Sequence, residues 1–395
     1  MKWGTIRFGD LYSTESRNGL TKPSKIRGSG YKMINMGELF ANDRIYDIPM
    51  ELAPLKDTEK INAKIEIGDL LFARQSLVLE GAGKCSIVME VSPLTVFESH
   101  LIRVRLDRKR ALPMFYYYYF KSPLSPMASI VSQCAQAGIR GSDLQELNVI
   151  FPPLYIQNKI AQILSYYDDL IENNQKQIKL LEEAAQRLYK EWFVDLHFPG
   201  HETTPIVDGV PEGWKEQSLY QIADVVMGQS PKSEYYNQVG EGLPFHQGVG
   251  SYGNRFVSDE TYSTSFTRIA EAGSILFSVR APVGRLNLTK NKVVIGRGLA
   301  AINHRRGAQS YLFYLLKEKF FRDDIIGNGS IFASISKEEL LNQTFLIPID
   351  SLVGQFNGIA GGIDKKIDIL SEQIRLLTEA RNRLLPKLMS GELEV

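Results

Sequence analysis

The chain has 395 residues, 44% hydrophobic and 23% charged, which is too apolar for a disordered protein and predicts two to three domains. Two cysteines, Cys85 and Cys134, exclude a disulfide framework and a Cys-rich zinc site. Lys and Arg (46) nearly balance Asp and Glu (45), so a case for a nucleic-acid partner must come from how the charge is distributed.

In chain order, residues 1–150 form a first globular segment. Short β-rich runs at Leu70–Phe72, Ser86–Met89 and Leu101–Leu106 alternate with glycine turns, and Met114–Phe120 reads as a helix. Its charge is lopsided. Between Glu15 and Glu38 only Arg17, Lys22, Lys25, Arg27 and Lys32 are charged. Between Glu98 and Asp143 one acid, Asp107, faces Arg103, Arg105, Arg108, Lys109, Arg110, Lys121 and Arg140.

Residues 151–197 predict a first long helix with Pro152 and Pro153 before it, where proline is tolerated. Its apolar ladder includes Ile163, Tyr167, Ile171, Asn174, Ile178, Leu181 and Leu188. Phe198-Pro199-Gly200 closes the helix, and turn residues around Gly209 and Gly213 open a second globular segment, 198–347. That segment has β-rich runs at Ile275–Val279 and Lys292–Ile295 and a helical run at Ser310–Phe321. Between Glu271 and Glu318 it has no acid, while Arg280, Arg285, Lys290, Lys292, Arg297, Arg305, Arg306 and Lys317 all fall there. Residues 348–395 predict a second long helix with ladder positions Ile359, Ile363, Ile367, Leu370, Ile374, Leu377 and Leu384. Gly354, Gly358, Gly361 and Gly362 predict that its start frays unless a partner covers it.

An internal repeat organises these elements. Residues 152–188 align without gaps on 348–384, an offset of 196. Upstream, GDLLFAR (68–74) resembles GSILFSVR (273–280), which equates Arg74 with Arg280, and Phe115-Tyr116 resembles Phe313-Tyr314. Both ladders alternate steps of three and four with one extra four at the same place, so the helices are expected to pack on each other. The expected fold class is α+β: two globular domains joined by a long antiparallel coiled-coil helix pair, related by a pseudo-twofold axis. A helix of about 36 residues spans roughly 54 Å, on the order of one and a half turns of B-DNA.

Basic stretches with interleaved polar and aromatic residues in both domains suit phosphate contact and base reading. The candidate DNA contacts are Arg17, Lys22, Lys25, Arg27, Arg74, Lys84, Arg140, Arg280, Arg285, Arg297, Arg305 and Arg306, each weighed against a solvated basic face or an intradomain ion pair. No catalytic constellation is found. GAGKC (81–85) has Val78 where a phosphate loop needs glycine and Cys85 where it needs Ser or Thr. Pro199 and Gly200 separate His197 from His201, and Asp364-Lys365-Lys366 is expected to be a solvated helix face.

GDLLFAR, GSILFSVRAPVG (273–284), Ile295-Gly296-Arg297-Gly298-Leu299-Ala300, FPPLYIQNKIAQIL (151–164) and RNRLLPKLMSGEL (381–393) together carry a resemblance over essentially the whole chain. The chain resembles the specificity subunit of type I restriction-modification systems. The resemblance implies two target-recognition domains, each reading half of a split DNA site, and helices that set an unread spacer. It implies two adenine methyltransferase (modification) subunits using S-adenosylmethionine and ATP-driven restriction/translocase subunits as partners. It also implies no catalysis, cofactor or metal on this chain itself. The start MKWGTIRFGD lacks an apolar signal-peptide core, and no apolar run approaches the roughly 20 residues of a membrane span, so a cytoplasmic location is expected. The competing reading is a coiled-coil scaffold whose domains bind proteins without DNA specificity.

Overall fold

The computed structural model describes residues 3–133, 137–320 and 334–395; Cys134 and Phe321 lie outside the described residues. Two compact units emerge, one of Met1–Asn174 with Gln373–Val395 and one of Gln175–Glu372.

In the first unit a five-stranded sheet runs in the order Tyr12–Asn18, Leu101–Leu106, Leu70–Ala73, Cys85–Val88, Arg44–Ile45. The run Leu70-Leu71-Phe72-Ala73 lacks polar alternation because both of its faces are covered. Leu70 and Phe72 enter a large core with Phe8 and Phe115, while Leu71 and Ala73 enter a smaller one with Met33, Ile34, Val96 and Phe97. A three-stranded sheet, Glu51–Ala53, Tyr31–Ile34 and Val96–Phe97, supplies most of that second cover. The helix Pro113–Lys121 buries Phe115 to Phe120 in succession, as a helix apolar all round must. The Tyr116 hydroxyl donates to Ile150 O at 3.0 Å, which satisfies a polar group inside the core.

The second unit repeats the scheme. Its four-stranded sheet runs Ala223–Met227, Leu299–His304, Ile275–Ser278, Leu286–Leu288, and the helix Gln309–Phe320 packs on it. Each unit also closes with an antiparallel strand pair, Thr5–Arg7 with Asn148–Ile150 and Lys215–Ser218 with Thr344–Ile347. The strands expected from sequence lie within a residue or two of their observed ends, as does the helix at 114–120.

The long helices are Leu154–Phe193 and Asp350–Ser390. Within the first unit they are antiparallel: Ile160 and Leu164 share a core with Leu385 and Leu388, Arg381 pairs with Asp168, and Asn174 Nδ2 donates to Gln373 Oε1 at 3.2 Å. Within the second unit Tyr189 and Trp192 pack on Phe356, with ring centroids 5.6 and 6.0 Å apart. The expected ladder is corrected in part. Ile171, Asn174, Ile367 and Leu370 are buried, but Ile163, Tyr167, Ile178, Leu181, Leu188, Ile363, Ile374, Leu377 and Leu384 are only half-buried, and Ile359 is 48% exposed. Leu164, Asp168, Ala185, Tyr189 and Ala360 hold the deeper positions. A ladder drawn through apolar residues skips an aspartate, and Asp168 is buried because it has two partners, Tyr118 (2.6 Å) and Arg381.

The expected fraying of the second helix is also corrected. Leu352, Val353, Phe356 and Ala360 are buried in the core of the chain's own second unit, so the start is covered and helical. Gly354 and Gly358 are exposed, with open space where a Cβ would stand. Gly354→Ala and Gly358→Ala should each therefore stabilise the isolated chain by about 0.5–1 kcal/mol, read as a higher urea midpoint. A lower midpoint would mean that these positions are not ordinary helix interior.

Candidate nucleic-acid interface

Backbone register identifies the position that the two units share. Gly68 (φ 89°) and Gly273 (φ 82°) precede the strands Leu70–Ala73 and Ile275–Ser278. Ala73 then pairs with Leu101, and Ser278 with Leu299. One residue on, the Arg74 amide donates to His100 O at 2.7 Å and the Val279 amide to Gly298 O at 2.9 Å. The Arg74 and Val279 carbonyls accept from the Ile139 and Ile335 amides, each at 2.9 Å. A residue further, Gln75 pairs with Gly138 and Arg280 with Ser334. The structural equivalents are therefore Arg74 with Val279 and Gln75 with Arg280, one residue away from the expected match of Arg74 with Arg280. In a strand a one-residue slip reverses the side-chain face. Arg74 is accordingly half-buried with its Nη1 3.4 Å from Ser99 O, whereas Arg280 is exposed.

The helix repeat is corrected in the same way. Tyr118 donates to Asp168 at 2.6 Å and Tyr314 to Asp364 at 3.4 Å, which matches Tyr118 rather than Tyr116 with Tyr314. Asp364 is no solvated face: Arg255 pairs with it while lying 3.8 Å from the Phe313 ring centroid.

Several candidate cations are held inside their own unit. Lys22 is buried and pairs with Glu59 at 2.7 Å, and Arg27 pairs with Glu51 at 2.8 Å. Lys84 donates to Phe40 O at 2.8 Å and pairs with Asp43 at 3.3 Å. Burial alone would raise the Asp43 carboxyl, but Lys121 and Lys84 outweigh it and hold it below the usual carboxylate range. Arg305 pairs with Asp224 at 3.1 Å, and Arg306 with Asp350 at the start of the second long helix. Arg285 is half-buried in a cleft of about 500 Å³ that Glu182, Arg255 and Lys317 also line. Much of the remaining basic excess is also internal: Arg105 pairs with Asp69 at 2.7 Å, Lys290 with Asp368 at 2.6 Å and Lys292 with Glu271 at 3.0 Å. Arg103 is buried, and that burial pulls its guanidinium below the usual range.

Arg17, Lys25, Arg140, Arg280 and Arg297 remain exposed, with no ion-pair partner among the described residues. In the first unit Gly141, just after Arg140, lies 3.4 Å from Ser16 Oγ by its would-be Cβ, so Arg140 adjoins the strand Tyr12–Asn18, which carries Arg17 on its opposite face. In the second unit Ser278 pairs with Leu299 and the Val279 amide meets Gly298 O, which brings Arg280 and the turn residue Arg297 to the same end of that strand pair. Polar residues that carried no sequence motif add to these cations in each unit. Gln75, Ser76 and His100 line an open cleft of about 370 Å³ with Met36, Phe40 and Leu77. Ser230 accepts from the Arg297 amide at 3.2 Å and donates to Gln247 at 2.8 Å. The histidines have structural partners: His197 meets Glu191 at 2.8 Å, His246 meets Asp259 at 3.1 Å, and His304 accepts from the Arg306 and Ala308 amides. Burial, aided by Arg306, holds the His304 imidazole below its usual range.

A family model described as the type I restriction modification DNA specificity domain matches residues 1–183 and 211–381. The MjaX type I restriction enzyme specificity subunit of Methanocaldococcus jannaschii is 29% identical over 396 residues, covering 96% of this chain and 91% of that protein. The MjaIX specificity subunit of the same organism is 26% identical over 415 residues, covering 100% of this chain and 94% of that protein. The crystal structure of a type I restriction-modification S subunit from M. genitalium shares the fold, with TM-score 0.61 at 16% identity, covering 98% of this chain and 96% of that one.

Proposed function

Because the chain belongs to the type I restriction-modification DNA specificity family, we propose that each of its two units reads one half of a split duplex DNA site. The chain is the DNA-recognising, non-catalytic member of such a system. Its proposed partners are duplex DNA, two DNA-methyltransferase (modification) subunits and restriction/translocase subunits, which carry the chemistry. Among the described residues no helix is long and apolar enough to cross a membrane, and we place the chain in the cytoplasm with its DNA.

One observation carries this reading: two units built on a repeated sheet scheme each present exposed cations with no ion-pair partner among the described residues, Arg17 and Arg140 in one, Arg280 and Arg297 in the other. Phosphate contacts from such cations fix register, and side chains beside them read base edges. The helix pair is proposed to set the gap between the halves.

Exchanging residues 1–150 for another recognition domain tests the reading. Methylated-site mapping should show a change in one half of the target and the other half intact; a change in both would mean that the halves are read jointly. Salt dependence separates the cations. Arg297→Ala should weaken binding and reduce the slope of log affinity against log salt by about 1, whereas Lys84→Ala should leave that slope unchanged. Equal slopes for wild type and Arg297→Ala would remove Arg297 from the interface. A salt-independent wild type would favour the scaffold reading.

A further inference from the structure

We propose that Gln75 and Arg280 are specificity-determining residues at one shared position of the two half-sites, Gln75 reading an adenine and Arg280 a guanine at their major-groove edges. The assignment rests on the DNA-reading function proposed above and names the residues that perform it.

The two residues occupy the same place in the fold. Each follows the same strand by two residues and is pinned by antiparallel pairing, Gln75 to Gly138 in the short strand Gln75–Ser76 and Arg280 to Ser334 by an isolated bridge. Gln75 lines a cleft with Met36, which packs against the core of Leu71 and Ala73, and strand alternation sends Arg280 to the face of Leu276. That face is the one a second sheet covers in each unit, three-stranded in the first and five-stranded in the second, and Gln75 and Arg280 stand where the strand runs out beyond it. In the first unit the space there is the open cleft of about 370 Å³ that Gln75 lines. In the second, the turn residue Arg297 lies at the same end of the strand pair as Arg280. Neither the Gln75 amide nor the Arg280 guanidinium has a hydrogen bond to a described residue, although the backbone under each is fixed. A rigidly mounted, unsatisfied polar group among exposed cations is what base reading requires.

The chemistry of the two side chains selects the bases. A glutamine amide offers one donor and one acceptor side by side, which matches adenine N7 and N6–H; a guanidinium offers two donors, which match guanine N7 and O6. Arg140, two residues beyond the Gly138 that pairs with Gln75, and Arg297, at the strand end of Arg280, are placed to hold the adjacent phosphates. Leu77, 89% exposed beside Gln75, adds an apolar surface for a neighbouring base.

The test maps methylated sites for the full chain expressed with its methyltransferase partner, with the half belonging to the first unit identified by the 1–150 exchange. Gln75→Arg should turn one adenine into guanine in that half, with a preference of about 5- to 150-fold, and leave the other half unchanged. Arg280→Gln should do the converse in the other half, and Gln75→Ala and Arg280→Ala should relax the same positions. A split motif that both exchanges leave intact, in variants melting like wild type, overturns the assignment alone. Loss of preference across both halves in such variants also overturns it. A wild-type chain that yields no split motif overturns the DNA-reading proposal, and the assignment with it.

Discussion

Arg381→Ala is expected to destabilise the chain by about 3–5 kcal/mol, because it strands a buried carboxylate. The Asp168 side chain is 6% exposed, and its partners are the Arg381 guanidinium and the Tyr118 hydroxyl. With Arg381 gone, the aspartate keeps only Tyr118 as a partner. The double replacement Asp168→Leu with Arg381→Met should recover much of the loss, since an apolar pair of similar volume leaves no uncompensated charge. Urea denaturation of the two variants measures both effects. A loss under about 1 kcal/mol for Arg381→Ala would class the pair with exposed surface salt bridges. The same logic applies to Asp364, which Arg255 and Tyr314 hold in the second unit.

Lengthening both long helices by four residues, between Asn174 and Gln175 and between Glu372 and Gln373, should lengthen the unread spacer by one or two base pairs. The insertions fall where each helix passes from one unit to the other. Four residues add roughly 6 Å of helix and about 40° of rotation beyond a full turn. Inserting in both strands of the antiparallel pair keeps Asp168 with Arg381 and leaves each unit's core intact. Selection on duplexes of randomised spacer length should therefore return both half-sites unchanged with a shifted optimum gap. An unmoved optimum in a folded, partner-competent protein would mean that the partner subunits set the gap.

The repeat made most of this architecture legible in the sequence. Residues 152–188 match 348–384 because both helices lie against equivalent domains, and Tyr118 and Tyr314 contact the repeated Asp168 and Asp364. Short buried strands such as Leu70–Ala73 are visible as apolar runs. The site was harder to see. Matching the arginines of GDLLFAR and GSILFSVR hid the pairing of Gln75 with Arg280, which hydrogen-bond register reveals. Charge counting along the chain also cannot tell a cation with a distant internal partner from a free one. Lys22 and Glu59 are 37 residues apart, and Arg305 and Asp224 are 81 apart. Buried polar positions misled the ladder for the same reason: Asp168 is inside only because Arg381, far along the chain, is there to meet it.

The most direct test of the central claim is a map of every adenine methylated when the chain is expressed with its modification subunits in a host lacking other such systems. Two short motifs separated by a gap of constant length and random sequence are expected, with one motif replaced when residues 1–150 are exchanged. A single continuous motif, or methylation that does not change with the exchange, would contradict two units each reading half of a split site.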